Sequence, residues 1–129
     1  MNIRLIIIFS IFFIAIITSL LAFTNAQTTV RDQKRVWDIT QIQAALKIYT
    51  DENGVYPATD PSGQPVGINK YLDRYPIAPT AGGACTKSQN AYNYRQLAGG
   101  DDYNLSFCLA ENIGGLVGGI HMASSKGIE

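Results

Sequence analysis

The run Leu5-Ile-Ile-Ile-Phe-Ser-Ile-Phe-Phe-Ile-Ala-Ile-Ile-Thr-Ser-Leu-Leu-Ala22 carries no charge, glycine or proline, and it passes without a break into Val30–Tyr49, which ends at Asn53-Gly54. As a helix rising about 1.5 Å per residue, the apolar run matches a bilayer core of roughly 30 Å. Residues 1–29 therefore read as an N-terminal transmembrane helix. A second reading is a secretory signal cleaved after Ala26, because Thr24-Asn25-Ala26 offers a small-residue cleavage site and Gln27 would begin the mature chain. Length favours the anchor, since the apolar part of a signal usually runs about 7–15 residues.

Beyond the apolar run the periodicity is helical. Val36, Ile39, Ile42, Ala45, Leu46 and Tyr49 fall on one stripe when wound at about 100° per residue, which predicts a helix lying on a sheet. Gly54 supplies the left-handed residue of a C-cap, Val55 is expected to fold back on the last turn, and Pro57 prevents continuation. All five prolines fall between Pro57 and Pro79, so that stretch reads as an irregular connection. Ile68–Tyr75 interrupts it, with Tyr71, Leu72 and Tyr75 in a short helical turn.

The period then changes to two. Ala91–Tyr94 and Tyr103–Leu109 read as a hairpin around Ala98–Asp102, with Tyr103, Leu105, Phe107 and Leu109 inward and Asn104, Ser106 and Cys108 opposite. A third strand is expected around Ile120–Ala123, which brings the sheet to the minimum that is stable against a helix. The fold class is α+β: a long N-terminal helix, its second half packed on a small antiparallel sheet, with residues 30–129 forming a single head.

Ten Lys and Arg balance ten Asp and Glu, and the densest basic group, Arg31, Lys34 and Arg35, sits beside Asp32 and Asp38. This is not the electrostatic footprint of a nucleic-acid binder. Positive charge flanks the apolar run on both sides and does not set its orientation. Cys85 and Cys108, the only cysteines, both lie in the head, which favours an extracytoplasmic C-terminal side where they would be oxidised. A disulfide between them would close a loop of about 24 residues, worth roughly 3 kcal/mol in the chain-entropy model. The other readings are two buried thiols or half of a metal site. His121 is a lone histidine without a nucleophile or acid arranged around it, so no enzyme and no cofactor is expected.

The segments Arg31-Asp32-Gln33-Lys34-Arg35-Val36, Ile42-Gln43-Ala44-Ala45-Leu46 and Asn53-Gly54-Val55-Tyr56-Pro57 resemble bacterial type IV pilin-like proteins and type II secretion pseudopilins. Tyr71-Leu72 to Pro79, the late cysteine pair and Leu105-Ser106-Phe107-Cys108-Leu109 are similar too. The resemblance implies a filament subunit in the cytoplasmic (inner) membrane, in contact with lipid and other pilin-like subunits. Pilin precursors carry Gly at the leader cleavage point and Glu inside the apolar segment. Here no Gly precedes Gly54 and no acid precedes Asp32, which points to a minor or unprocessed pilin-like component. Some secretion pseudopilins bind calcium near the C-terminal end. On that ground alone Asp101, Asp102 and Glu111 are the carboxylates to inspect for a metal, although turn chemistry accounts for the first two.

Ala15, Ser19, Ala22 and Ala26 place small side chains along one line of the rod, where another helix could approach closely. The same side later carries Trp37, Ala44 and Ile48, away from the Ile39, Ile42 and Leu46 stripe. These residues are the expected helix–helix assembly surface. Trp37 lies roughly 20 Å beyond Phe23, far for a membrane-interface anchor, and is expected to contact a subunit or the head. The non-polymerising alternative is a membrane-tethered binding module with Tyr92, Tyr94 and Tyr103 on its recognition surface.

Overall fold

The computed structural model describes residues 3–129. Helix α1 spans Ile3–Asn53, 51 residues, about 75 Å at 1.5 Å per residue. Its first part holds one 18-residue window of mean hydropathy 2.9, none of it buried, long and apolar enough to cross a bilayer. The helix stays unbroken through Thr24–Val30, where Thr24, Thr28 and Thr29 return their hydroxyl hydrogen bonds to carbonyls of the preceding turn.

The second half of α1 docks. Ile39, Ile42, Ala45 and Leu46 are fully or nearly fully buried, while Val36 and Tyr49 at the ends of the stripe are only half-buried. Tyr49 meets Tyr71 edge-on, with centroids 5.8 Å apart. The helix stops at Gly54, whose φ of 78° suits glycine and whose N–H donates to Thr50 O at 2.8 Å. Val55 is 44% exposed and lies beside Gly100, where an added Cβ would come within 3.1 Å of it.

The sheet is an antiparallel meander in the order β1-β2-β3-β4, comprising β1 Asn93–Gln96, β2 Tyr103–Leu109, β3 Gly119–Ser124 and β4 Gly127–Ile128. Together with α1 this is an α+β arrangement consistent with a pilin-like fold. The first strand lies two residues later than Ala91–Tyr94, because Tyr94 pairs with Leu105 and Gln96 with Tyr103, which sets the register. The third strand lies close to where alternation placed it, and a fourth, two-residue strand follows it. Too short to show a period, β4 pairs Ile128 with Ala123. The helical turn in the irregular connection is a 3-10 turn at Ile68–Lys70, earlier than Tyr71–Tyr75, and it buries Ile68.

Along β2 the inward set Tyr103, Leu105, Phe107 and Leu109 is buried against α1, as alternation requires. Cys108 is buried as well although it points to the other face, because it is bonded to Cys85. Tyrosine fills much of the core. Tyr103 sits between Tyr56, 4.8 Å away edge-on, and Tyr94, 5.8 Å away and stacked. The Tyr94 hydroxyl donates to Pro57 O at 2.7 Å, which joins β1 to the segment leaving the helix.

Candidate functional site

Three residues of α1 are buried although they are charged: Asp32, Arg35 and Asp38. They lie on the phase of the apolar stripe, since stepping back from Ile39 by four and then three residues reaches Arg35 and Asp32. The stripe thus continues toward the apolar rod with ionic residues in place of aliphatic ones.

Each charge is closely partnered. Arg35 Nη1 donates to Asp32 Oδ1 at 2.7 Å. The Asp32 carboxylate also accepts the N–H of Ala110 at 2.9 Å and of Glu111 at 2.8 Å, so it holds the end of β2 to the helix. Arg35 Nη2 reaches the opposite way, to Pro79 O, Thr80 O and Asn90 Oδ1 at 3.1, 2.8 and 3.1 Å. Among the described residues, Arg35 Nε alone of this guanidinium is buried without an acceptor. Asp38 accepts Lys34 Nζ on its solvent side and the Tyr92 hydroxyl, at 2.9 Å, on its core side. Burial, with Asp38 beside it, pushes the Tyr92 hydroxyl well above the usual tyrosine range. These contacts fasten the loop before β1 and the end of β2 to the first docked turns of α1.

The apolar half of the rod is exposed on every side, Ala15, Ser19, Ala22 and Ala26 included. Trp37 is 61% exposed and Ile48 48% exposed, so Trp37 does not belong to the core of the head. Trp37 stands between two surface grooves. One, of about 390 Å³, is walled by Val36, Thr40, Ile113 and Leu116. The other, of about 480 Å³, is walled by Leu72, Tyr75, Pro76 and Ile77 with Lys34 and Arg74 at its margin. Apolar head loops therefore flank the tryptophan on the face that the head leaves uncovered.

The acidic trio does not converge. Asp101 and Asp102 precede β2 and Glu111 follows it, so the strand itself separates them by roughly 25 Å at about 3.3 Å per residue. Asp102 Oδ1 instead accepts the N–H of Tyr103 at 2.8 Å and of Ser125 at 3.0 Å, closing the β1–β2 turn onto the β3–β4 turn. Burial opposes ionisation of Asp102, but those N–H donors outweigh it and lower its pKa. Among the described residues, no group of three His, Cys, Asp or Glu side chains could share a metal ion. His121 faces two carbonyls, Val117 O at 2.6 Å and Glu129 O at 3.1 Å.

Sequence reasoning placed the Cys85–Cys108 disulfide. It did not single out Asp32, Arg35 and Asp38 as a buried group, noting only that the basic residues there sit beside acidic ones. The available signal was their phase with Ile39, Ile42 and Leu46. The chain matches no protein-family model, no curated protein and no solved structure.

Proposed function

We propose that this chain is a structural subunit, of the minor kind, in a type IV pilus or type II secretion pseudopilus. Leu5–Ala22 holds it in the cytoplasmic membrane with the head on the outer side. Ala15, Ser19, Ala22, Ala26 and Trp37 pack against other pilin-like subunits in a head-to-tail contact that propagates instead of closing. The observation that carries this reading is the continuity of α1, one half bare and apolar, the other docked on the sheet, with no hinge between them. A flexible tether serves a module that must roam, whereas a stiff rod fixed to its head transmits the position of one end to the other. Leaving the bilayer costs about 0.8 kcal/mol per methylene withdrawn, so assembly must replace lipid contact with helix contact. The resemblance of Arg31–Val36, Ile42–Leu46 and Asn53–Pro57 to pilin-like proteins supports the same reading.

Photo-crosslinking amino acids at Ala22 and Trp37, activated in cells, test it. A ladder of crosslinked species through both positions is the expected result. A single monomer band would leave a tethered binding module, and a mature chain beginning at Gln27 would leave a secreted domain. Trp37→Ala should preserve the melting of the head and reduce the ladder. Melting lost with an undiminished ladder would assign Trp37 to folding instead.

A further inference from the structure

Between Pro76 and Tyr92 the chain has no helix or strand, and Cys85 is the only buried residue from Ala81 to Asn90. Two strong attachments hold this loop. The disulfide ties Cys85 to Cys108 near the end of β2, and Arg35 Nη2 binds Pro79 O, Thr80 O and Asn90 Oδ1. Asn90 is braced in turn, donating from Nδ2 to Pro79 O at 2.6 Å. Two residues past Cys108, the N–H of Ala110 donates to Asp32, and Ala110 O accepts the N–H of Ala84 from the loop. A covalent bond and an ion pair therefore join the same three segments in a closed ring: helix residues 32–35, loop residues 79–90 and strand-end residues 108–111.

We propose that this ring is a thiol-controlled clasp, in which oxidation of Cys85 and Cys108 fastens the first docked turns of α1 to the head and reduction unfastens them. A dithiol reductant opens it by exchange. One thiolate attacks a cysteine sulfur, breaking the Cys85–Cys108 bond and releasing the other cysteine as a thiolate; the second attacks the reductant's own sulfur in the mixed disulfide and expels the remaining cysteine, so two electrons pass to Cys85 and Cys108 while the reductant leaves as its own disulfide. Once the loop is free, Arg35 loses its Nη2 acceptors but stays beside Asp32 with its charge buried. A buried guanidinium that has lost three of its four acceptors is costly, so the segment opens to hydrate it. Coupling of this kind is reciprocal: if the disulfide stabilises the Arg35 contacts, those contacts stabilise the disulfide by the same factor. For a chain acting as proposed above, and resting on that reading, only oxidised heads would hold the rod rigidly enough to assemble.

The test uses the full chain in detergent micelles, equilibrated against dithiothreitol in its reduced and oxidised forms, with free thiols counted. Arg35→Gln should shift the equilibrium toward the reduced form about tenfold, which corresponds to about 30 mV for a two-electron couple. Asn90→Ala, which removes one acceptor and spares the helix, should shift it in the same direction by about threefold. Lys70→Met breaks exposed contacts far from the ring, the pair with Glu52 and those with Tyr71, and should leave the equilibrium unchanged. Independently of any substitution, reduction of the wild-type chain should speed hydrogen exchange at the Ala110 and Glu111 amides by tenfold or more, with Leu105 and Phe107 remaining protected. The clasp is overturned if both Arg35→Gln and Asn90→Ala stay within twofold of wild type, or if Ala110 and Glu111 exchange equally slowly in the two redox states. Neither readout involves assembly, so this failure is distinct from failure of the filament-subunit reading.

Discussion

Asp32→Ala should destabilise the head by about 3–5 kcal/mol, the range found when one member of a buried ion pair is removed. The carboxylate is 0% exposed and accepts three hydrogen bonds, from Arg35, Ala110 and Glu111. Alanine takes the acceptor from all three donors, of which those of Arg35 and Ala110 are buried and the first is charged. Against a total stability of about 5–15 kcal/mol, such a loss removes a large fraction, and the melting temperature should fall by more than about 10 °C. Arg35→Met should cost less, because Asp32 keeps its two backbone donors and the methionine can fill the vacated channel. The double variant should be less destabilised than Asp32→Ala alone, since it leaves no unpaired charge behind, and the two single losses should not add. Thermal melts of the four proteins in the same detergent, followed by near-ultraviolet circular dichroism, give the complete cycle. Lys47→Ala is the control. It removes an ion pair on the same helix whose partners are 73% and 61% exposed, and its melt should coincide with wild type because solvent screens such pairs. If Asp32→Ala melts where Lys47→Ala does, the buried pair contributes nothing to docking.

Where the sequence was legible, a long segment repeated one signal. Ile39, Ile42, Ala45 and Leu46 recur at helical spacing over two turns, and Tyr103, Leu105, Phe107 and Leu109 alternate over seven residues, so element and buried face could both be read. Gly54 and Pro57 marked the end of the helix because few other residues accept that backbone. Short elements were less legible. β4 is two residues long, and the 3-10 turn at Ile68–Lys70 is shaped by its neighbours more than by its own composition. The first strand shifted because its register depends on pairing with β2, a non-local fact that alternation within Ala91–Tyr94 cannot supply.

The buried charges were hidden for a different reason. Hydrophobic periodicity scores Asp32 and Arg35 as solvent-facing, yet their partners are backbone groups at 79, 80, 110 and 111, more than forty residues away in sequence. Only the folded chain brings an acceptor-rich loop and a donor-rich strand end to the two sides of one helical turn. The acidic trio failed for the converse reason. Asp101, Asp102 and Glu111 are near in sequence, but β2 runs between them and carries them apart.

Alkaline pH should unfold the head steeply and cooperatively. Burial raises the hydroxyl pKa of Tyr103 to about 12 and those of Tyr75, Tyr92 and Tyr94 further. In the unfolded chain each would titrate near pH 10. Below that pH all four are protonated in both states, and the stability associated with burying them neutral is fully present. Above it the unfolded chain releases protons that the native head retains, so rising pH favours unfolding. Each tyrosine contributes somewhat more than about 1 kcal/mol per pH unit, and the four together about 4–6 kcal/mol per pH unit, until the native values are reached. A stability of about 5–15 kcal/mol is then exhausted between about pH 11 and pH 13. Tyrosinate absorbance and the near-ultraviolet dichroism of the full chain in micelles should change together in one sharp step. Tyr92→Phe removes one titrating group and should make that step shallower by about a quarter, with Lys34 still paired to Asp38. A gradual rise of the buried tyrosines' absorbance centred near pH 10, with the tertiary signal intact, would mean that these hydroxyls reach water in the native head and that the tyrosine core is not closed.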